Sequence, residues 1–367
     1  MLIVDELEDV MRDIIVLNNL SDSFAVNSKE MLNNMPNSGR IVWVDLEFES
    51  AKSQKHHTTN AVSESSRSNA HITITIKNIP EISCHETKHS SLSYILASLN
   101  PLLTRHDIKH PIIWAADTSF ADLTEHIKGS SLVYYCHEEH SSNFIANNHF
   151  KFELEKTMLK RANLIFGSSS LICSRFPRSK TLILPPAVDT NLFCARHPVA
   201  EDMPTNGRPT AGFCGVIDNT VDLQLLYYTA LNLPNWNFVY IGRMSVGHHA
   251  LFDLENVFYL GTKTTKQLPR YIQHWEVSLL PFKSQQSHPT AFNSTLLKYL
   301  AAGSPVVSTF SEPSGNYRDY VNVVETAHEM SYALKLSAYE NKIPSDIIWS
   351  DSWQTRGRYI SNLLRSL

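Results

Sequence analysis

Two groups of residues in this chain have the types and spacing to do chemistry. In the first, His137-Glu-Glu-His140 sets two carboxylates between two imidazoles directly after the apolar run Ser131–Cys136. A carboxylate at the mouth of a buried strand, partly desolvated and beside imidazoles, is pushed toward the range useful to a general base. The same position also suits a plainer role, because Glu138 and Glu139 could cap the helix that follows from its N-terminal side. The second group is cationic. Arg243 follows Phe238-Val-Tyr-Ile-Gly242, Lys283 follows Leu280-Pro-Phe282, and Lys298 precedes Tyr-Leu-Ala-Ala-Gly303. A guanidinium offers paired donors to phosphate oxygens and an ammonium is donor-only, so this group fits a phosphorylated ligand. A surface arginine is the alternative for Arg243.

The elements that must position these residues can be read from apolar runs and their breaks. Residues 277–280 form a strand, 281–294 a polar loop, and a helix follows with Leu296, Leu297 and Leu300 on one face. Gly303-Ser-Pro305 ends that helix and 306–309 returns as a strand, which completes a βαβ unit. Ligands of such sheets lie outside the carboxyl ends of the strands, which places the loop and a helix start at Ser294 and Thr295 at a site. The strand at 210–216 ends on Gly215, where backbone can approach a ligand closely, with Asp218 just beyond. The N-terminal half opens the same way, with strands at 13–17 and 41–44 around a helix ending near Leu32. Asn19, Ser21 and Asp22, after the first strand, are candidate contacts for a second substrate, together with His137, or else a polar turn and helix cap. Further strands are expected at 72–76, 111–114, 131–136, 164–166, 181–184, 237–241, 257–260 and 323–324. Helices are expected at 92–103, 117–127, 150–162, 223–231, 268–274 and 351–367.

Composition narrows the functional classes. A chain of 367 residues with 43% hydrophobic content supports two domains, each with its own core. We expect the first over 1–194, a Pro-containing linker over 195–209, the second over 210–350, and the amphipathic helix 351–367 crossing back to the first. A formal charge of −4 gives no global drive toward polyanions and argues against a nucleic-acid partner. Five cysteines without a Cys-x-x-Cys spacing point to reduced thiols rather than a disulfide framework. No apolar run reaches the roughly 18 residues needed to span a bilayer, and the acidic start at 5–9 does not resemble a signal peptide, so a cytoplasmic protein is expected. Histidines 56, 57, 71, 85 and 89 lack ligand spacing, so no metal site is expected. Residues 49–70 are polar and are expected to be a mobile excursion. Lys151, Lys156, Lys160, Arg161, Arg175, Arg178 and Lys180 form either a face for anionic lipid head groups or a solvated surface.

Leu280-Pro-Phe282 followed by Lys298-Tyr-Leu-Ala-Ala-Gly-Ser-Pro-Val-Val307 resembles the donor-site segment of the family 4 glycosyltransferases, which commonly read Glu-Tyr-Leu-Ala-Ala-Gly-Lys-Pro-Val-Val there. The resemblance continues through Gly212-Phe-Cys-Gly-Val-Ile-Asp218, Phe238-Val-Tyr-Ile-Gly242, Asn256-Val-Phe-Tyr-Leu-Gly261 and Pro185-Pro-Ala-Val-Asp-Thr-Asn-Leu-Phe193. Val133-Tyr134 is similar to the Val-Tyr-x-x-x-Asp stretch of the xanthan-type glucuronosyltransferases, inverting enzymes whose Asp acts as base; that match puts Glu138 in the role.

The resemblance implies an α/β protein of the GT-B class, with two Rossmann-like domains facing across a cleft. It implies a nucleotide-sugar donor, a glycan or lipid-linked acceptor, peripheral contact with the inner face of a membrane, and no cofactor or metal. Gly215, Asp218, Arg243, Lys283, Ser294, Thr295 and Lys298 would hold the donor; Asn19, Asp22 and His137 would hold the acceptor. Two glutamates that the family carries fall on Thr290 and Lys298, and its diphosphate-binding lysine falls on Thr295. Lys298, assisted by the N–H groups of Ser294, Thr295 and Leu296, could reach the phosphate in their place. The departures leave open a non-catalytic homologue that binds a partner or a glycan, and, further off, a DNA-modifying transferase.

Overall fold

The computed structural model of the chain describes residues 11–19, 25–36, 39–48, 62–68, 71–79, 85–136, 149–283, 289–309 and 315–367. Contacts divide the chain into one unit of Met1–Pro185 with Arg356–Leu367 and a second of Pro186–Thr355.

The first unit is built on β1 Ile14–Asn19, β2 Ile41–Phe48, β3 Val62–Ser68, β4 His71–Ile79, β5 Ile112–Ala115, β6 Ser131–Cys136, β7 Leu164–Gly167 and β8 Thr181–Ile183. They form one sheet in the order β3-β4-β2-β1-β5-β6-β7-β8, parallel throughout except for the antiparallel β3. Runs such as Ile14–Leu17 and Ser131–Cys136 are buried along their whole length, as expected of parallel strands covered on both faces. Helices α1 Ala25–Asn33, α2 His85–Arg105 and α3 His149–Arg161 accompany the sheet, with Ile95 and Leu99 of α2 in the same core as Ile72, Ile74 and Ile76 of β4. Within the stretch 49–70 the described residues 62–68 form the edge strand β3 and pair with β4 through their backbone, with Val62 to Ser65 exposed; residues 49–61 and 69–70 lie outside the described residues. A strand held by ladder hydrogen bonds, with Glu64 also pairing with Arg105 at 3.2 Å and His106 at 2.8 Å, needs no apolar pattern, which is why the composition hid it. The expected helix over 117–127 is instead a 3-10 turn, Thr118–Phe120, and a single helical turn, Leu123–His126.

The second unit carries β9 Thr210–Cys214, β10 Asn237–Ile241, β11 Val257–Tyr259, β12 Val277–Leu280, β13 Val306–Ser308 and β14 Val321–Val323, all parallel, in the order β11-β10-β9-β12-β13-β14. Counted within the unit this is 3-2-1-4-5-6, the order of dinucleotide-binding sheets. Its longer helices are α4 Leu223–Asn232, α5 Pro289–Ala301 and α6 Ala327–Ser337. Residues 195–209, expected as a linker, pack in this unit: Ala200 and Met203 are buried in its core and Ala200 N donates to Arg270 O at 3.1 Å.

The last helix, α7 Trp353–Leu364, begins in the second unit and ends in the first. Ile360 and Leu364 are buried, Ser361 Oγ donates to Pro36 O at 3.2 Å, and Arg12 Nη1 donates to Leu367 O at 3.0 Å. Gly357 has no room for a side chain there, since a Cβ would lie 2.2 Å from Asn34 O. This chain therefore has the GT-B architecture of two Rossmann-like units with a returning C-terminal helix. No helix of the described residues is long and apolar enough to cross a membrane.

Candidate functional site

In the second unit the chain leaves β9 toward β10 on one side and resumes with β12 on the other, so a crevice opens between the carboxyl ends of β9 and β12. The loops around it are laced together by backbone. Gly215 N donates to Ile241 O at 2.9 Å, Ile217 N to Arg243 O at 2.9 Å, and Ser245 N to Ile217 O at 2.8 Å. Across the crevice, Asp222 N donates to Pro281 O at 2.7 Å and Lys283 N to Thr220 O at 2.8 Å. A rim fixed in this way needs no reordering to receive a ligand, which lowers the cost of binding.

Two glycines make the rim possible. Gly242 sits at φ +140°, and a Cβ there would lie 1.8 Å from Gly215 O, so only glycine lets the two strand ends close. Asp218 spends its Oδ1 on the loop itself, accepting from Thr220 N at 2.9 Å. Lys283 and Arg243 are exposed and Lys298 is half-buried; none of the three has an acidic partner within salt-bridge distance among the described residues. Lys298 also lies close enough to the buried Cys214 to pull its thiol pKa down, against a larger upward push from burial. On the neighbouring turn, Tyr299 is fully buried and its hydroxyl accepts from Cys214 N at 2.8 Å, which pins α5 to the end of β9. An anion at these strand ends would meet three cations that have no acidic partner among the described residues.

One expectation is corrected here. Ser294 and Thr295 are not at the start of α5, which begins five residues earlier, at Pro289. Proline favours the first helical position because its missing N–H is one that would go unpaired there. Amides this far into a helix bond to carbonyls of the preceding turn, so the N–H groups of Ser294, Thr295 and Leu296 are committed. The side chains of Ser294 and Thr295 share a face with Lys298 at helical spacing, and Thr295 is buried.

In the first unit the corresponding switch lies between β1 and β5. A crevice there is lined by residues that include Asn18, Asn19, Ser28, Trp43, Trp114 and Asp117. Asn19, expected in the loop after the first strand, is instead the last residue of β1, where it lines this crevice. Ser21, Asp22, His137, Glu138, Glu139 and His140 lie outside the described residues. The sequence reading passed over Asn18 and Asp117, although their places at the ends of β1 and β5 were a usable signal.

The basic stretch over 151–180 is neutralised in part. Arg161 pairs with Asp122 and Glu125, Arg175 with Glu155 at 3.1 Å, Lys156 with Glu153 at 3.9 Å, and Lys180 donates to Ala162 O at 2.7 Å.

No family model matches the chain. A Bacillus subtilis protein, assigned by its name to teichuronic acid biosynthesis as the glycosyltransferase TuaH, is 24% identical over 217 residues, or 54% of this chain and 55% of that protein. The chain thus spans about half the length of this curated relative. Among solved structures, the trehalose-6-phosphate synthase OtsA superposes with a TM-score of 0.66 at 13% identity, covering 97% of this chain and 99% of the other. The Anabaena protein HepE, solved in complex with UDP and glucose, gives 0.66 at 13% identity over 97% of this chain and all of its own (100%). The sucrose-phosphate synthase of Thermosynechococcus elongatus gives 0.60 at 13% identity over 96% and 94% of the two chains. These likenesses establish the GT-B fold.

Proposed function

We propose that this protein is a glycosyltransferase that moves a sugar from a nucleotide-sugar, UDP-linked in the first instance, to a glycan or lipid-linked acceptor in glycoconjugate assembly. The observation that carries the reading is the crevice between β9 and β12, where a preformed backbone rim around Gly215 and Gly242 stands beside Arg243, Lys283 and Lys298, none of them paired with an acidic group among the described residues. The named role of the Bacillus relative and the UDP and glucose held by HepE support it.

In this reading Gly215 lets the backbone meet the diphosphate, Asp218 shapes the loop, and Arg243, Lys283 and Lys298 stabilise the charge that develops on the leaving diphosphate. Ser294 and Thr295 contribute hydroxyls from the face they share with Lys298. Glu138 takes the proton of the acceptor hydroxyl as that oxygen bonds to the anomeric carbon and the bond to the diphosphate breaks. This holds for an inverting enzyme. If configuration is retained, Glu138 positions the acceptor and an oxygen of the leaving phosphate takes the proton. Asn19, Asp22 and His137 serve the acceptor, and a nucleotide-sugar donor places the reaction on the cytoplasmic side.

Thermal unfolding across UDP, GDP, dTDP and CMP tests the proposal. A ligand at 100 times its dissociation constant adds about 2.7 kcal/mol to a fold that alone binds it. A shift with UDP is expected. A cooperative transition that none of the nucleotides moves would remove the basis for the reading.

A further inference from the structure

The ladder between β9 and β12 stops short of the crevice. Its last pair is Gly212 with Ser278, whereas β9 runs on to Cys214 and stays paired there with Ile241 of β10. Amides alternate in direction along a strand, and Gly215 N reaches Ile241 O on the β10 side at 2.9 Å. Cys214 N therefore faces the β12 side, at a point where the ladder has already ended. Tyr299 of α5 takes it: the phenol oxygen accepts this N–H at 2.8 Å inside the core and makes a second bond with the Cys214 thiol. Burial pushes the phenol well above its usual value, so the hydroxyl stays neutral and keeps both bonds. The ring is held as well. It meets Trp275 edge to face at 6.1 Å, and Trp275 lies over Gly212, where a Cβ would come within 1.8 Å of the indole.

We infer that Tyr299 is a positioning residue for the donor: its hydroxyl stands in for the missing β12 partner and fixes the Gly215 backbone and the Lys298 ammonium against the diphosphate. The two sides of this contact carry the two groups concerned. Gly215 follows Cys214 directly, and Lys298 directly precedes Tyr299 on α5. One bond thus sets the spacing between a backbone approach and a cation that belong to different elements. Without the phenol oxygen the Cys214 N–H is buried with no acceptor, and the strand end must shift to find one. A shift of about 1 Å at that point would misalign the groups meant for the phosphates. The inference rests on the transferase reading and adds to it what keeps the donor site in shape.

The test compares wild type with Tyr299→Phe, which keeps the ring and removes one oxygen. Ligand-observed NMR titrations of the full chain use UDP, inorganic pyrophosphate and uridine. UDP and pyrophosphate should bind the variant on the order of tenfold more weakly, the lower end of what a bond to a charged group is worth, while uridine binds as before. Equal weakening of all three ligands would assign Tyr299 a general structural role and overturn the inference, as would unchanged affinity for UDP and pyrophosphate. A measurement on wild type alone covers a variant that does not fold. Hydrogen exchange of the Cys214 and Gly215 amides should slow at saturating UDP, because a ligand held between β9 and α5 steadies the contact; exchange that UDP leaves unchanged overturns the inference. UDP affinity of the wild type separates the two failures. A chain that binds UDP and loses nothing in Tyr299→Phe keeps the transferase reading and loses this one, whereas a chain that does not bind UDP loses both.

Discussion

Replacing Lys298 with alanine should weaken nucleotide binding without weakening the fold. The ammonium is half-buried on α5, near the buried Cys214 at the end of β9, and it has no acidic partner among the described residues. Its removal strands no carboxylate, and alanine is the best helix former, so the unliganded protein should unfold at the same temperature or slightly higher. A charge-assisted hydrogen bond to a phosphate contributes about 1.5–3 kcal/mol, which weakens UDP roughly 10- to 150-fold when it is lost. With UDP at 100 times the wild-type dissociation constant, ligand stabilisation falls from about 2.7 kcal/mol to about 1.4 at the lower end of that range and about 0.3 at the upper. The assay is therefore the UDP-induced shift in unfolding temperature, measured for wild type, Lys298→Ala and Lys298→Arg. The arginine variant keeps the charge and should recover most of the shift. An undiminished shift in the alanine variant would show that Lys298 does not touch the diphosphate. A fall in the unliganded unfolding temperature as large as the lost shift would assign it a structural role instead.

Gly242→Ala puts a Cβ 1.8 Å from Gly215 O at a φ of +140°, so it should cost at least about 1–3 kcal/mol and abolish the UDP shift as the rim opens; an unchanged unfolding temperature would refute the close packing. Asp202 is raised by burial and lowered, by more in total, by hydrogen bonds from Lys263 at 2.5 Å and Tyr271 at 2.7 Å, which leaves its carboxyl below the ordinary value. A depressed folded-state pKa stabilises the protein above the unfolded value and is lost as pH falls through the folded one. Asp202→Asn should therefore lower stability at pH 7 by under about 1 kcal/mol after solvent screening, and its difference from wild type should shrink in unfolding scans as pH falls below the ordinary carboxyl value of 3.8. Glu138→Gln should reduce turnover by about 10²- to 10⁴-fold with UDP affinity intact if the residue is the base; near-normal kcat would leave it the helix-capping role.

The sequence by itself determined the alternation of strands and helices and the parallel character of both sheets. Runs such as Ile14–Leu17 and Val277–Leu280 are apolar at every position, and only a strand covered on both faces makes that stable. It also placed Gly215, Gly242, Arg243 and Lys283 at the ends of strands, where ligands of such sheets bind. Helix α6 was legible but overlooked: Thr326 and Glu329 form a reciprocal capping box at its start, which a Thr-x-x-Glu pattern announces. Other features were not legible. Strand β3 has no apolar period and exists because β4 offers an unpaired edge. Helix α5 starts at Pro289 rather than at Ser294 because a proline in a polar stretch can open a helix as readily as end one. The collision that makes Gly242 irreplaceable involves Gly215, distant in sequence and adjacent only once β9 and β10 pair. The bond from the Asn18 amide to Asp45 likewise depends on the register that sets the two residues opposite each other. Periodicity and residue type report what one segment must bury, whereas register, close approach and the direction of a polar group arise between segments, and only the folded chain fixes them.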